Sequence, residues 1–225
     1  MASLERIDDT YVLELGDGEN RFDRTSVDAI GAALDEVEHA DGPRALVITG
    51  EGKFFSNGLD LDYLRSGAEP APSFLRDVMT LWARVLAFAV PTVAAINGHA
   101  FAGGAMFALA ADRRIMRVDR GFWCINEIQL GMVLAPGMRE LIRCRLTPQT
   151  AHIAITAGHR FAGPEAMAAG IVDQTADAEQ LLDRAVELAA SLTSTAGPTL
   201  AGLKEGLYSG PLAALRSGEG PPAPS

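Results

Sequence analysis

Two glycine-containing segments combine the residues that could stabilise a negatively charged oxygen. They are GEGKFFSNGLDL at 50–61 and INGHAFAGGAM at 96–106. Each leaves a short apolar stretch that is predicted to be a buried strand, and each leads into a predicted helix. The first backbone N–H groups of a helix have no carbonyl partner within it, and the helix dipole adds positive potential there. Two such turns side by side would aim two N–H groups at one oxygen, as stabilisation of an oxyanion or enolate requires.

These turns admit two other interpretations. Glycine at a strand-to-helix turn often serves packing alone, and residue spacing does not separate that role from ligand binding. A phosphate-binding loop would place lysine and then serine or threonine after its last glycine, but Ala105 and Met106 follow the glycine pair here. If the turns do bind a ligand, Gly58, Gly103 and Gly104 permit close approach of the backbone.

Apolar periodicity predicts the elements that hold these turns in place. Ser26 is the expected N-cap of the first helix. Thr147 and Gly163 are the expected N-caps of two later helices, because each stands directly before a proline that would be the first helical residue. The recurring unit is two strands and a helix, without the glycine fingerprint of a dinucleotide-binding fold. The predicted strands are 4–7, 11–15, 45–49, 92–96, 114–118 and 122–125. Further helices are predicted after Ser26, over 74–89, 103–110 and 181–192, and, as a shorter one, after Pro198.

The composition argues against several classes of function. The 225 residues carry a formal net charge of -10, so the surface should repel nucleic acid and anionic membranes. The most apolar stretches, 85–96 and 100–111, are shorter than the roughly 18 to 20 residues that a membrane-spanning helix needs. Cys124 and Cys144 are too few for a disulfide framework and lack the spacing of a metal site. We therefore expect a reduced, cytoplasmic protein without a bound metal.

Three ordered motifs resemble those of the crotonase family of acyl-coenzyme A enzymes. KFFSNGLDL at 53–61 is similar to a lysine, an aromatic and small residues before G-x-D-[LI], and PTVAAINGHAFAGG at 91–104 is similar to P-x-[IV]-A-x-[IV]-N-G-x-x-x-G-G. INEIQLGMVLAPG at 125–137 is similar to a P-E-x-x-x-G segment that leads to P-G. The resemblance implies an α/β fold, a right-handed spiral of β-β-α units with a helical C-terminal region. It also implies a homotrimer or hexamer, with a core over 1–195 and a short helix and flexible tail over 196–225 that take part in oligomerisation.

The same resemblance assigns the oxyanion donors to the backbone N–H groups of Leu59 and Gly103. The thioester carbonyl of an acyl-coenzyme A would lie between them, and no separate cofactor is implied because coenzyme A belongs to the substrate. Arg65 and Lys204 are further candidates for the coenzyme phosphates, although such side chains are more often solvated. His99, in the second turn, is expected to be a packed or solvated histidine. The residues implied in substrate and coenzyme A binding are Lys53, Ser56, Asn57, Gly58, Asp60, Gly104 and Met106.

Glu127 matches the position at which many members of the family carry a catalytic glutamate. A carboxylate held in an apolar environment by Trp123, Ile125 and Ile128 would have a raised pKa and could take a proton from the carbon next to the thioester. Without the resemblance, a glutamate at the end of a strand is more often an exposed surface residue. Asn126 stands where the family commonly has proline, which leaves the orientation of Glu127 open.

Met106 bears on the type of reaction. Hydratases of the family carry a second glutamate at this position, since adding water to a double bond takes two carboxylates. Moving a proton from C2 to C4 of one substrate through a dienolate needs a single base. The resemblance therefore favours an isomerase that converts 3-enoyl-CoA to trans-2-enoyl-CoA in fatty-acid degradation. A hydratase is the alternative within the family, and a catalytically silent acyl-CoA-binding or interaction protein is the alternative outside the enzymes.

Overall fold

Two sheets of unequal size organise the chain. The structure is a computed structural model that describes residues 2–222. The strands are β1 Ser3–Ile7, β2 Thr10–Glu14, β3 Ala45–Thr49, β4 Phe54–Ser56, β5 Thr92–Ile96, β6 His99–Phe101, β7 Arg113–Arg117, β8 Trp123–Cys124 and β9 Gln174–Ala176. The larger sheet has the order β1-β2-β3-β5-β7-β9, in which the β1–β2 pair is antiparallel and the other pairs are parallel. The smaller sheet is parallel, with the order β4-β6-β8.

Helices are interspersed among the strands, and several of them follow one another in the second half of the chain. They are α1 Arg24–His39, α2 Leu61–Ser66, α3 Ala71–Leu86, α4 Gly103–Ala110, α5 Pro136–Arg145, α6 Pro148–Ala157, α7 Gly163–Ala168, α8 Leu181–Ala190, α9 Pro198–Leu207 and α10 Ser209–Ser217. The chain passes from β3 to β4 and then to α2 and α3, and again from β5 to β6 and then to α4. Each pass crosses from the larger sheet to the smaller one before a helix begins. This confirms the predicted spiral of β-β-α units.

Apolar side chains cover both faces of the larger sheet. Strands β3 and β5 read ALVIT and TVAAI, nearly continuous apolar runs that are typical of parallel strands buried on both sides. Val47 belongs to one apolar cluster with Ala185 of α8. Leu46 and Ile48, which alternate with Val47, belong to a second cluster with side chains of α1, α3 and α4, including Trp82. The second cluster is the larger core and lies on the side of the helices that approach the site.

Asp23, rather than Ser26, caps α1. The Asp23 carboxylate accepts a hydrogen bond from the Ser26 N–H (2.7 Å), and the Ser26 hydroxyl accepts one from the Asp23 N–H (2.9 Å). The expectation for Ser26 was wrong by one turn, because both members of a capping box are polar and either resembles a cap in the sequence. Thr147 caps α6 as predicted. Ala162 caps α7, so Gly163 is its first helical residue instead of its cap.

The strands of the smaller sheet are too short to be visible in the sequence. Neither β4 nor β6 was predicted, because three residues show no alternation of apolar and polar side chains. The predicted strand at 122–125 contains the two-residue β8. What fixes these strands is pairing with one another, between residues such as Phe54 and His99.

Helix α4 is buried on every side, as its sequence GGAMFALA indicates. All eight residues from Gly103 to Ala110 are buried. A side chain at Gly104 would place its Cβ 2.3 Å from the carbonyl oxygen of Ser56, so glycine is required where α4 begins against β4. In the part of the chain that the structure describes, neither α4 nor any other helix is long and apolar enough to cross a membrane.

The segment after 196 forms two helices, where one short helix was expected. Helix α10 packs against α3 and α5, with Leu212 and Leu215 buried. Gly137 of α5 lies so close to α10 that an added Cβ would be 2.8 Å from the Cα of Leu215. The predicted tail, SGEGPPAPS, starts at Ser217, which is the last residue of α10, and its residues 223–225 lie outside the described part of the chain.

Candidate active site

A cavity of about 270 Å³ contains the candidate catalytic residues. It lies where the starts of α2 and α4 meet the 3-10 turn Glu127–Leu130. Its walls come from the segment before α1, from both glycine-containing turns and from the segment between β8 and α5. The lining residues are Arg21, Asn57, Leu59, Leu61, Asp62, Arg65, Ala102, Gly103, Asn126, Glu127, Leu130, Met132 and Met138.

The backbone N–H of Leu59 is directed by pairing with Phe22. The Phe22 N–H donates to the Gly58 carbonyl (2.8 Å), and the Asp60 N–H donates to the Phe22 carbonyl (2.9 Å). Successive N–H groups of an extended chain point to opposite sides, so the Leu59 N–H points away from Phe22. Within residues 2–222 it has no hydrogen-bond partner, and Leu59 lines the cavity.

The backbone N–H of Gly103 is set by an unusual conformation at Ala102. Ala102 has a φ of 49° and a ψ of -121°. This region costs a non-glycine residue about 1 to 3 kcal/mol. The Ala102 N–H donates to the Cys124 carbonyl (3.0 Å), while the Gly103 N–H has no acceptor among the described residues. A Cβ added to Gly58 would lie 2.9 Å from the Gly103 nitrogen, so the two turns are in contact and present unpaired amides to one cavity.

Glu127 is buried in the wall of this cavity. It is 9% exposed, and its Oε2 atom has no hydrogen-bond partner in the described part of the chain. Burial raises the pKa of Glu127 to about 7, because the charged form loses its hydration. A carboxyl group with this pKa gains and releases a proton near neutral pH, which suits general acid–base catalysis.

The apolar surroundings of Glu127 differ in part from the expectation. Trp123 and Ile125 are fully buried, but Ile128 is 53% exposed, so its expected place against the carboxylate was wrong. Adjacent residues of a 3-10 turn project about 120° apart, and Ile128 therefore leaves the side on which Glu127 lies. The apolar lining of the cavity comes instead from Leu59, Leu61, Ala102, Leu130, Met132 and Met138.

Sequence reasoning gave no functional role to several of the lining residues, among them the polar Asn126 and Arg21. The Oδ1 atom of Asn126 is buried without a hydrogen-bond partner in the chain as described, directly before Glu127. Its signal in the sequence was the absence of the usual proline. Arg21 reaches the cavity because the segment before α1 pairs with the first turn, and it forms ion pairs with Glu19 and Asp62. A long-range pairing places Arg21, so no local motif marks it.

In the glycine-containing turn at 50–61, the predicted binding residues mainly stabilise the turn itself. Asn57 lines the cavity. The Ser56 hydroxyl donates to the Asn20 carbonyl (2.7 Å) and accepts from the Gly58 N–H (3.2 Å), which stabilises the turn from its buried side. The Asp60 carboxylate caps α2 by accepting hydrogen bonds from two N–H groups of its first turn. These bonds hold the Leu59 amide in position.

The remaining predicted binding residues lie in different environments. Arg65 lines the cavity, whereas Lys53 is exposed and holds its ammonium 5.2 Å from the centre of the Phe54 ring. Gly104 packs against β4. Met106 is fully buried one turn into α4 and does not line the cavity.

Lys204 does not reach the cavity, so its expected contact with coenzyme phosphates was wrong. It is buried, and its Nζ donates to the Asp112 carboxylate (2.7 Å) and to the Phe88 carbonyl (2.9 Å). These two bonds tie α9 to the segments that follow α3 and α4. The His99 ring packs among the aromatic rings of Phe54, Phe101 and Phe122.

Known proteins are similar in sequence to this chain over most of its length. The family described as Enoyl-CoA hydratase/isomerase matches residues 13–212. Enoyl-CoA delta isomerase 3 of Arabidopsis thaliana is 33% identical over 219 residues, which cover 92% of each chain. A putative enoyl-CoA hydratase of Thermus thermophilus is 36% identical over 190 residues, 83% of this chain and 74% of that protein.

Solved structures have the same fold as this chain over nearly all of its length. The apo enoyl-CoA isomerase of Mycobacterium tuberculosis superposes with a TM-score of 0.86 at 33% identity, covering 96% of this chain and 95% of that one. Human mitochondrial delta3-delta2-enoyl-CoA isomerase also superposes with a TM-score of 0.86, at 26% identity, covering 96% of this chain and 86% of that one.

Proposed function

The chain belongs to the enoyl-CoA hydratase/isomerase family, and from that premise we propose that it converts 3-enoyl-CoA to trans-2-enoyl-CoA. The observation that carries the proposal is the carboxylate content of the cavity. Two carboxylates line it among residues 2–222, and of these only Glu127 is buried. Asp62 is exposed and is paired with Arg65 (2.9 Å).

The two unpaired amides would bind the thioester carbonyl oxygen. With the oxygen between the N–H groups of Leu59 and Gly103, negative charge that develops there is stabilised by two fixed donors. Donors of this kind contribute about 3 to 4 kcal/mol each to a transition state. The amides need little reorganisation, because the bonds made by Ser56, Asp60 and Ala102 already hold them.

Glu127 would move the proton. The ionised carboxylate takes a proton from C2, and the electron pair of that C–H bond extends the C3–C4 double bond into a dienolate with its charge on the thioester oxygen. Protonated Glu127 then returns the proton to C4, which leaves the double bond between C2 and C3. Nothing is added or lost, so the balanced reaction consumes no water and no co-substrate.

Met106 supports the isomerase over the hydratase. By the family resemblance, Met106 occupies the position at which hydratases carry their second glutamate, and this fully buried methionine offers no ionisable group. Hydratase activity remains the second candidate because a relative named as a putative hydratase is 36% identical. The Asn126 amide beside Glu127 is a polar group that could orient water in its place.

A product assay on a 3-enoyl-CoA and on a 2-enoyl-CoA, with one purified sample, tests the proposal. An isomerase forms the conjugated 2-enoyl product from the first substrate and no 3-hydroxyacyl product from the second. Glu127→Gln should reduce isomerisation by about 1,000-fold or more, since general acid–base groups contribute about 100- to 10,000-fold and Glu127 would act in both steps.

The matched control is Glu187→Gln, which alters an exposed glutamate on α8 and should keep normal turnover. Formation of 3-hydroxyacyl-CoA as the main product would identify a hydratase. Normal turnover by folded Glu127→Gln would overturn the catalytic assignment. Tight binding of both thioesters without any turnover would identify a silent acyl-CoA-binding protein.

A further inference from the structure

We propose that an apolar rim, defined as Leu130, Met132 and Val133, binds the distal part of the substrate's acyl chain, so that the protein prefers medium and long acyl-CoA thioesters to short ones. The inference rests on the proposed function, because it takes an acyl-CoA as the substrate. It adds a binding surface to the site and a direction of chain-length preference.

The rim is apolar, exposed and continuous with the cavity. Leu130, Met132 and Val133 are 50%, 42% and 52% exposed. Leu130 and Met132 also line the cavity that contains Glu127. Clustered apolar side chains at the mouth of a site commonly mark a surface that binds a ligand or partner. A chain that leaves the cavity past these two residues would remain on apolar surface.

Backbone hydrogen bonds fix the rim relative to the proposed base. The Met132 N–H donates to the Glu127 carbonyl (2.9 Å), which closes the turn between them. Gly131 adopts a φ of 65° and ends the 3-10 turn, so the chain reverses between Leu130 and Met132. In addition, the side-chain amide of Gln129 donates to the Gly158 carbonyl (3.1 Å) and anchors the turn to the end of α6.

The cavity has the polarity that an acyl-CoA requires. The segment before α1 and helix α2 contribute two cations to it, Arg21 and Arg65. The segment after Glu127 contributes Leu130, Met132 and Met138. Asp62 pairs with both cations, so one end of the cavity is polar and the other is apolar, which suits a ligand with a polar end and an apolar end. A second copy of this chain could also cover the rim, but its contact would not account for the continuity of the rim with the cavity.

Partial burial of the acyl chain on the rim predicts how strongly affinity should depend on chain length. A fully buried methylene improves binding about fourfold, and a surface that covers about half of each methylene should give roughly twofold per carbon. Affinity should therefore rise steadily along a series of saturated thioesters, from butyryl-CoA through hexanoyl-CoA and octanoyl-CoA to decanoyl-CoA.

Isothermal titration of this series tests the inference without requiring turnover. The wild-type protein should bind decanoyl-CoA more tightly than butyryl-CoA by roughly 60-fold, since the two differ by six methylenes at about twofold each. The double variant Leu130→Gln, Met132→Gln should lose most of this slope, with the largest loss for the longest chain. Leu130→Met, which keeps an apolar side chain, should retain the slope.

The control is Leu203→Gln on α9. Leu203 is 68% exposed and does not line the cavity, so this variant should keep the wild-type slope. Equal affinities of the wild type for all chain lengths would overturn the inference. So would a double variant with an unchanged slope and an altered oligomeric state, measured by light scattering, because the rim would then be a contact between copies. Absence of isomerisation with the slope present would reject the proposed reaction and leave the rim in place.

Discussion

The two ends of α4 differ in whether their backbone polar groups have hydrogen-bond partners. At the start of the helix, the Gly103 N–H lacks an acceptor within 2–222, and Ala102 has a φ of 49°. At the other end, the backbone carbonyls are satisfied by Arg145. Its guanidinium donates at 2.8 to 3.0 Å to three of them, those of Leu109, Ala111 and Asp112.

Two further cations reinforce the satisfied end. Arg114 is buried and donates to the Ala111 carbonyl (3.0 Å), and Lys204 donates to the Asp112 carboxylate (2.7 Å). Backbone strain and unpaired polar groups therefore occur at the start of α4 and at the neighbouring Glu127. The hydrogen bonds at the end of α4 fix the position of the helix. Unfavourable local energies persist in a fold only where the surroundings over-determine the structure. The comparison indicates that the packed end of α4 stabilises the groups that would do the chemistry.

Breaking the satisfied end should have the largest effect on stability. Arg145→Met would leave two carbonyls without a side-chain donor, at about 1 to 3 kcal/mol for each one that is buried, because only the third keeps its bond from Arg114. We expect the free energy of unfolding to fall by roughly 3 to 4 kcal/mol, measured by urea unfolding. Arg143→Met is the matched control on the same helix. Arg143 is exposed and paired with Glu140, so its loss should cost at most about 1 kcal/mol. Equal losses for the two variants would refute the comparison.

Removing the buried charge should stabilise the other region. The folded pKa of Glu127 is about 7, raised by burial above its ordinary value of 4.5. Between these two values the folded protein binds more protons than the unfolded chain, so the wild type loses stability as pH rises from 4.5 to 7. Glu127→Gln avoids this loss and should be more stable by up to about 3 kcal/mol above pH 7.

The gain should vanish near pH 4.5, where the glutamate is protonated in both states. Urea unfolding of both proteins at an acidic and an alkaline pH measures the difference. A gain of the same size at both pH values would mean that packing, and not the charge, is responsible.

The same ionisation should govern catalysis. A base must be deprotonated in the free enzyme, so kcat/KM should rise with pH through about 7 and level off above it, falling about tenfold per unit on the acid side. His99 is the competing origin for such a limb, although burial lowers the pKa of His99 below its ordinary value. The variant His99→Asn should therefore keep the wild-type profile. A profile that moves with this variant would assign the limb to the histidine.

Relieving the strain at Ala102 should have the smallest effect. Glycine adopts this φ freely, and the relief of about 1 to 3 kcal/mol is offset by the entropy of glycine in the unfolded chain, about 0.5 to 1 kcal/mol. Ala102→Gly should therefore stabilise the protein by about 1 kcal/mol. Ala110→Gly, at the other end of α4, should destabilise it, because that residue is helical and fully packed. Urea unfolding should give opposite signs, and equal signs would show that Ala102 is not strained.

The sequence predicted the elements whose signals are local. The buried strands β3 and β5 are nearly continuous apolar runs, and Thr147 before a proline carries a local N-cap signal. The two glycine-containing turns and Glu127 were identified by their motifs, and they line one cavity. The cap of α1 was misplaced because Asp23 and Ser26 carry equivalent signals. Strands β4 and β6 were missed because three residues are too few to show a period.

The amino-acid sequence by itself determined the family, the longer strands and helices, and the glycine-containing turns where one backbone approaches another. Those properties depend on residues near one another in the chain. The tertiary structure alone decided that Lys204 pairs with Asp112 and not with a ligand, that Arg21 reaches the cavity, and that Ile128 turns outward. It also decided the pKa of Glu127. Burial and charge pairing depend on segments that are distant in the chain, and their electrostatic free energies are fixed only when the fold brings those segments together.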